Sequence, residues 1–576
     1  MSSNHIKRNS AKYKSSSSGA TKDDKLKIIP LGGQEEVGRN MTVFEYEGDI
    51  VILDVGMQFP EEEMPGVDYI VPNVDYLKGR EDDIKGVVFS HGHLDHIGAA
   101  PVIMEQLNYP LAIGRDLTLE LVKEQIKDHD QDAVSKLDTL QINSIDQVIN
   151  LGKFTTKFFQ VEHSIMDAVG VIFETPEGTV IHPGDWTLDR SDDGEPNLDY
   201  SHLQDHPSPT ILMLESLGAV HHEHGTTYEE MYDNLYEIME TAPGRTIIGT
   251  FSSQIERIKW IMNSAQELGK KVFLDGYSMR KNVNIARELG YIEFDKGILK
   301  NIRNIDDYPD QDVVVVCTGA QGEEHAALNR MVEERHKYVD LKKEDTVVFS
   351  SSIIPGNEIT IQKLKDNMYR KCDNVYHNQI MDVHVSGHAT RDDIREMIDM
   401  IQPDYFLPVY AHHYMLKEAK KVAVSDGYPE ENTFILDNGE MLELKDGEAE
   451  MADEKANTEY VFVDGLGVTD SHDIVLRDRN KLAEDGMVVV IVTVYSKSGQ
   501  LVQNPDIISR GFVYLKQNKE LVEDIRHKAK RMVKRSNPEN WTNTNQIKND
   551  IRNKIGDFIY SKTERRPMIL PVVIEA

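Results

Sequence analysis

The sequence predicts an α/β fold that carries its chemistry at strand ends, and three observations support this. Short apolar strands open the folded region at Lys27–Pro30, Met41–Tyr46 and Asp49–Leu53. A fourth apolar run, Gly86–Ser90, leads directly into His91-Gly92-His93-Leu94-Asp95-His96 and then into a helical pattern from Ile97 to Leu107. Farther along, Thr246–Gly249, Lys271–Leu274 and Asp312–Cys317 are continuous apolar runs between helical stretches. Such runs are the signature of a parallel sheet buried on both faces.

Size and composition bound the function. With 576 residues, several domains can each bury a core. A hydrophobic content of 39% and a charged content of 28% are those of a globular protein. No apolar run approaches the roughly 18 residues of a membrane helix. The longest, Met487–Val494, reads as a buried strand. The N-terminus lacks the apolar core of a secretory signal, and Cys317 and Cys372 lie in internal-looking segments without a disulfide framework. A cytoplasmic protein without a membrane partner is expected. The formal net charge of −34 weighs against a nucleic-acid partner but does not exclude one, because local basic patches decide such binding.

Taken in order, residues 1–25 are rich in Ser and Lys and are expected as a disordered basic tail. The turn Gly32–Glu35 separates the first two strands. Asp54 closes the third, where it either orients a ligand by hydrogen bonding or caps the turn. The strand–turn–helix at His91–His96 gathers three imidazoles and a carboxylate around one point. Buried and unpaired, they would be costly, whereas they are good ligands for zinc and similar divalent metals. After a helix expected over Asp116–Asp132, an apolar approach ends in His163, and Thr179–Gly184 runs into Asp185. A carboxylate at such a strand end can lie between two metals with one oxygen on each.

Asp54, His91-x-His93-x-Asp95-His96, His163 and Asp185 together resemble the motif set of the metallo-β-lactamase fold. Leu212-Met-Leu-Glu215-Ser216 is similar to the acidic motif that opens a β-CASP insertion. The chain as a whole resembles bacterial ribonuclease J. That likeness rests on Leu31-Gly-Gly-Gln-Glu-Glu-Val-Gly38, Val316-Cys-Thr-Gly-Ala-Gln-Gly-Glu323, Phe349-Ser-Ser-Ser-Ile-Ile-Pro-Gly-Asn357 and His384-Val-Ser-Gly-His388. It extends through Leu476-Arg-Asp-Arg479, Ile508-Ser-Arg-Gly-Phe512 and Arg565-Arg-Pro-Met-Ile-Leu-Pro571. The resemblance implies an αββα metallo-β-lactamase sandwich in two parts, 26–216 and 379–446. Between them lies a β-CASP α/β domain at 217–378. A linker at 447–458 and a C-terminal oligomerisation domain of small α/β type at 459–576 would follow.

The same resemblance implies a metal-dependent ribonuclease with endonuclease and 5′-to-3′ exonuclease activity, acting in RNA maturation and decay. His91, His93 and His163 would hold one divalent ion and Asp95 and His96 a second, with Asp185 bridging. Zinc is the expected metal, with manganese or magnesium as alternatives. Asp95, His388 and Glu215 carry the expected catalytic roles, His388 as proton donor to the leaving 3′ oxygen. His384, Val385, Ser386, Gly387 and His388 are expected against RNA, and Ser278, Ser351 and Ser352 at a terminal-phosphate pocket. Two departures stand out. Tyr410 occupies the place of the family's last metal-binding histidine, so either His412 or His413 completes the second site, or Tyr410 does so through its oxygen, or the second site is weak; His412 is the expected ligand. Glu215-Ser-Leu-Gly218 replaces the usual Asp-Ser-Thr-Asn pattern. Both make the chain look like the second, less active paralogue that some bacteria carry. The competing reading is a weakly active RNA-binding scaffold for a paralogous nuclease. A homodimer or homotetramer and RNA-decay partners are the expected associations.

Overall fold

Two sheets packed face to face form a sandwich from strands between residues 26 and 455, in a computed structural model that describes residues 24–576 apart from 62–63, 192–194, 222–226, 296, 324, 355–356, 466, 471–473, 497, 499, 513–517 and 536–543. The expected tail therefore lies outside the described residues, apart from 24 and 25. The first sheet has eight strands in the order Glu448–Lys455, Glu440–Lys445, Leu26–Gly32, Met41–Tyr46, Asp49–Leu53, Ile84–Val88, Ala112–Gly114 and Thr139–Gln141. The second has six: Tyr405–Val409, Thr210–Glu215, Gly178–His182, Val169–Thr175, Phe154–Gln160 and Ile149–Leu151. Phe44, Val51 and Val88 from the first sheet and Phe158, Val171 and Leu407 from the second share one buried core. This is the sandwich expected for the metallo-β-lactamase fold.

Most neighbouring strands of the sandwich run antiparallel, but each sheet contains a parallel group. Asp49–Leu53, Ile84–Val88 and Ala112–Gly114 run together in the first sheet. Gly178–His182, Thr210–Glu215 and Tyr405–Val409 do so in the second. Parallel neighbours bring their C-terminal ends level, and loops at such ends are where open α/β sheets bind ligands.

The inserted sheet is wholly parallel. Its order is Leu299–Lys300, Lys271–Asp275, Val313–Cys317, Thr246–Gly249, Thr346–Phe349 and Asn374–Tyr376. One face packs on the helices Tyr228–Thr241, Ile255–Glu267 and Tyr277–Glu288, and the other on Ala327–Val332 and Glu358–Tyr369. That two-sided burial is why its strands are uninterrupted apolar runs. Below the sheet, Arg245 and Asp345 form a bidentate ion pair at 2.9 and 2.6 Å, both buried.

Three expectations need correction. The stretch 447–458 is not an irregular linker, because Glu448–Lys455 is the edge strand of the first sheet, paired to Glu440–Lys445. Its alternating charges stay in solvent and protect the edge, while the backbone supplies the pairing. The expected helix from Ile97 to Leu107 is two pieces, Leu94–Ile97 and Ala100–Gln106, and Pro101 starts the second. The helix expected to run to Asp132 ends at His129.

The chain divides into two compact units, the second made of Gln58–Asn73 and Glu459–Ala576. In it, Asp506–Arg510, Met487–Val494 and Met568–Glu575 form a sheet with the helices Lys519–Arg535 and Thr544–Thr563 on one face. Met487–Val494 is buried on that face alone. The strand expected over Gly511–Leu515 falls mostly outside the described residues. No helix among the described residues is long and apolar enough to cross a membrane.

Because removing one partner of a buried pair strands the other charge, Arg245→Met should destabilise the first unit by about 3–5 kcal/mol. Thermal or denaturant unfolding of the purified variant measures this.

Candidate metal centre

The turn after Ile84–Val88 is built by backbone contacts that leave no room for side chains. Asn40 N–H donates to the Asp95 carbonyl at 3.0 Å, and Val55 N–H donates to the His96 carbonyl at 2.8 Å. A Cβ on Gly56 would lie 1.6 Å from the Asp95 carbonyl oxygen, so only glycine lets the two loops meet. Asp54, at φ 60°, follows the neighbouring parallel strand. Its carboxylate accepts from Ser90 N–H and Ser90 Oγ at 2.8 Å each, and faces His96 Nδ1 at 2.8 Å. Both readings of Asp54 hold: it caps the turn and orients a histidine.

Two donor groups result. His91, His93, His163 and Asp185 each offer one ligand atom, all within 4.8 Å of one another, and Asp95, His96 and Asp185 do the same. In the first, His93 Nδ1 lies 3.2 Å from His91 Nε2 and 2.9 Å from His163 Nε2. Asp185 Oδ2 is 3.8 Å from both His91 and His163. In the second, Asp185 Oδ1 is 3.2 Å from His96 Nε2, and Asp95 Oδ2 is 3.5 Å from it. Asp185 thus stands in both groups, with one oxygen toward each.

The donor set fits a divalent cation. A tetrahedral zinc with Zn–N of about 2.0–2.1 Å sets its nitrogens about 3.3 Å apart, close to the spacing here. Hydrogen bonding accounts for the ring orientations: His163 Nδ1 donates to the Gly387 carbonyl at 2.6 Å, leaving Nε2 toward the cluster. Burial holds His91 and His93 well below the usual imidazole range and brings His163 down to about 4, so their lone pairs are free. Burial also acts against charge on His96, but Asp185, Asp95 and Asp54 more than offset it and hold that imidazole well above its usual value. Burial would likewise raise Asp185, yet His96 and its neighbours keep it ionised.

Beside the cluster stands His388, 3.6 Å from Glu215 and 3.9 Å from Asp185 Oδ2. Burial opposes its charge, but Glu215, Asp185 and Asp95 push it up to about 9. Glu215 is fully buried at its strand end and accepts from Leu217 N–H at 2.5 Å; burial pushes its carboxyl up. It reaches His388 and belongs to neither donor group.

His412 is not brought to the second donor group, contrary to expectation. Its Nδ1 lies 3.3 Å from the Glu35 carbonyl, at the start of the helix His413–Ser425. His413 faces Glu35 and Asp437, each at 3.6 Å. After Tyr410, at φ 60°, the chain turns away from the cluster before either histidine. Tyr410 itself is buried, with its ring edge-on to His96 at 5.4 Å and against His182 at 5.0 Å. Burial raises its phenol well above the usual value and keeps it neutral.

Ser278, Ser351 and Ser352 are not gathered at one point either. Ser278 is exposed on Tyr277–Glu288, after a strand separated from Thr346–Phe349 by two others, about 14 Å at normal spacing. Ser351 Oγ and the Ser352 carbonyl both receive Gln321 Nε2, at 3.3 and 2.6 Å. In the loop His384–His388, His384 is buried, Val385 offers its carbonyl to Arg257 at 3.4 Å and Gly387 its carbonyl to His163. Ser386 is exposed, and its Oγ accepts from His388 N–H at 3.2 Å. Sequence reasoning missed Asn40, whose Nδ2 lies 3.0 Å from His96 Nε2, and buried His182.

A sandwich with an inserted parallel domain and paired donor groups sharing a carboxylate defines a metallo-hydrolase scaffold. Residues 35–220 match the metallo-beta-lactamase superfamily, 243–368 the ribonuclease J beta-CASP domain, 376–433 a Zn-dependent metallo-hydrolase RNA specificity domain and 474–576 the ribonuclease J C-terminal domain. Ribonuclease J2 of Bacillus subtilis (strain 168) is 32% identical over 96% of this chain and 99% of its own. Ribonuclease J 2 of Staphylococcus aureus (strain NCTC 8325 / PS 47) is 31% identical over the same shares. The crystal structure of a protein of unknown function from Enterococcus faecalis V583 shares the fold at a TM-score of 0.51 and 15% identity, over 73% of this chain and 100% of that one. The chain belongs to the ribonuclease J family.

Chelation followed by zinc or manganese should show the centre directly. Metal at 100 times its dissociation constant adds about 2.7 kcal/mol of stability, read as a rise in Tm. His412→Ala should keep the wild-type metal content by elemental analysis, whereas His163→Ala should lose metal.

Proposed function

We propose that this chain is a metal-dependent ribonuclease that hydrolyses RNA phosphodiester bonds, both internally and from 5′ ends, in the cytoplasm during RNA maturation and decay. The observation that carries this reading is the sharing of Asp185 between two donor groups, with the His388–Glu215 pair beside them. His91, His93 and His163 would hold one ion, Asp95 and His96 the other, and Asp185 both. Two divalent ions held there supply a nucleophile at neutral pH and stabilise charge on the phosphoryl oxygens. The nitrogen-rich donor set favours zinc or manganese over magnesium.

The chain's own groups divide the proton transfers. Asp95, the most exposed carboxylate of the centre, orients the attacking water and accepts its proton. His388, protonated at neutral pH, gives its proton to the leaving 3′ oxygen. Glu215 maintains that charge from behind. The loop carrying Val385, Ser386 and Gly387 meets the RNA backbone, and Ser351 and Ser352 with Gln321 receive a 5′-terminal phosphate. Tyr410, in place of a ligand, favours a second reading: a weakly active subunit that holds RNA for a paralogous nuclease.

Single-turnover cleavage separates the two readings. Asp95→Ala and His388→Ala should each slow cleavage by about 100-fold or more; an inactive wild type that still binds RNA would favour the scaffold. RNA with a 5′ monophosphate should be degraded faster than the same RNA with a triphosphate.

Assembly through the C-terminal unit is supported by an apolar sheet face. Val489 pairs in register with Ile508 on one side and Leu570 on the other, and Ile574 continues the row. Ile508, Leu570 and Ile574 are 39–47% exposed, an apolar patch of the kind that marks an interface. Leu570→Asp should convert a dimer or tetramer to monomer in sedimentation while leaving the unfolding transition of the first unit unchanged.

A further inference from the structure

Arg257 lies on the helix Ile255–Glu267 of the inserted domain and is 3% exposed. Among the described residues it forms no ion pair with a carboxylate, unlike Arg245 in the same domain, which faces Asp345. A buried cation without a counter-ion is costly, so its hydrogen-bond partners indicate what it does. Its Nη1 donates to the Ser350 carbonyl at 2.8 Å and to His384 Nδ1 at 2.6 Å, and its Nη2 donates to the Val385 carbonyl at 3.4 Å. Burial, then the nearby Arg257 charge, keeps His384 neutral, so that Nδ1 can accept. The planar guanidinium thus ties the end of the strand Thr346–Phe349 to the first two residues of the loop His384–His388.

The far end of that loop touches the metal centre. The Gly387 carbonyl accepts from His163 Nδ1 at 2.6 Å and so fixes which ring nitrogen faces the other donors. The fit at Gly387 is tight: a Cβ there would lie 2.6 Å from Ser164 Cβ and 3.1 Å from His163 Cε1. One residue farther on, His388 faces Glu215 and Asp185. A loop of five residues held at both ends cannot move at one without moving at the other.

We infer that Arg257 is a positioning residue: from the inserted domain it sets the placement of the loop His384–His388, and through the Gly387 carbonyl it orients His163 in the donor group. Arg257 touches no reacting atom and acts entirely through the loop. The inference rests on the metal-centre reading proposed above.

The test is zinc affinity of the full chain, measured by competition with a fluorescent chelator, alongside Tm. Losing a partner that orients a ligand typically weakens metal binding 10- to 100-fold. Arg257→Met should weaken zinc binding by about that factor. Arg257→Lys should fall between, because an ammonium can meet one acceptor but not the whole fork. Arg245→Met should lower Tm while keeping wild-type zinc affinity, separating loss of orientation from loss of stability. If Arg257→Met does not fold, Arg257→Lys decides: weakened binding supports the inference and wild-type binding overturns it. Wild-type affinity in a folded Arg257→Met, or equal weakening in Arg245→Met, would overturn this inference alone. A wild-type chain that takes up no metal would overturn the metal-centre reading and this inference with it.

Discussion

One buried carboxylate, turned two ways, is the constraint on which the site depends. Asp185 presents Oδ2 to His91 and His163 and Oδ1 to His96, and it is 2% exposed. Burial alone would favour its protonated form, which could not serve both groups. The His96 imidazole above all keeps the charge, so the carboxylate and that histidine are mutually necessary. That arrangement requires a strand end from each sheet to reach the same edge of the sandwich. The parallel groups within otherwise antiparallel sheets meet that need, delivering Asp54 and His91 from one sheet and Asp185, Glu215 and Tyr410 from the other.

Legibility followed the range of the interactions. His91, His93, Asp95 and His96 lie within six residues, so a local turn makes their purpose visible. The continuous apolar runs of the inserted sheet were readable because burial on both faces removes polar alternation. Asn40 and His96 are 56 residues apart, and nothing near Asn40 marks it as a neighbour of a metal ligand. The edge strand Glu448–Lys455 was hidden for the opposite reason, since its pairing is made by backbone and its side chains are charged and exposed. His412 shows the limit of reading by residue type: histidine is a good ligand, but only the backbone after Tyr410 determines which way it faces.

The two donor groups are unequal, and this bears on Tyr410. The first gathers three neutral imidazoles and a carboxylate, a full tetrahedral set. The second has two carboxylates and one imidazole, and Asp95 is 34% exposed there while His96 is sealed. A position with three protein ligands is the arrangement that leaves room for water or a substrate oxygen, whereas a closed set of four is structural in character. Tyr410 is neutral and buried against His96, so it adds bulk and steers the ring without adding charge. Tyr410 adds no donor to this group, which consists of Asp95, His96 and Asp185. The first position, with its ligands oriented by Asp54 and Gly387 through Ser90 and His163, keeps its full donor set. Tyr410 therefore packs against the half of the centre that has the fewer donors, and its contact there is with the His96 ring.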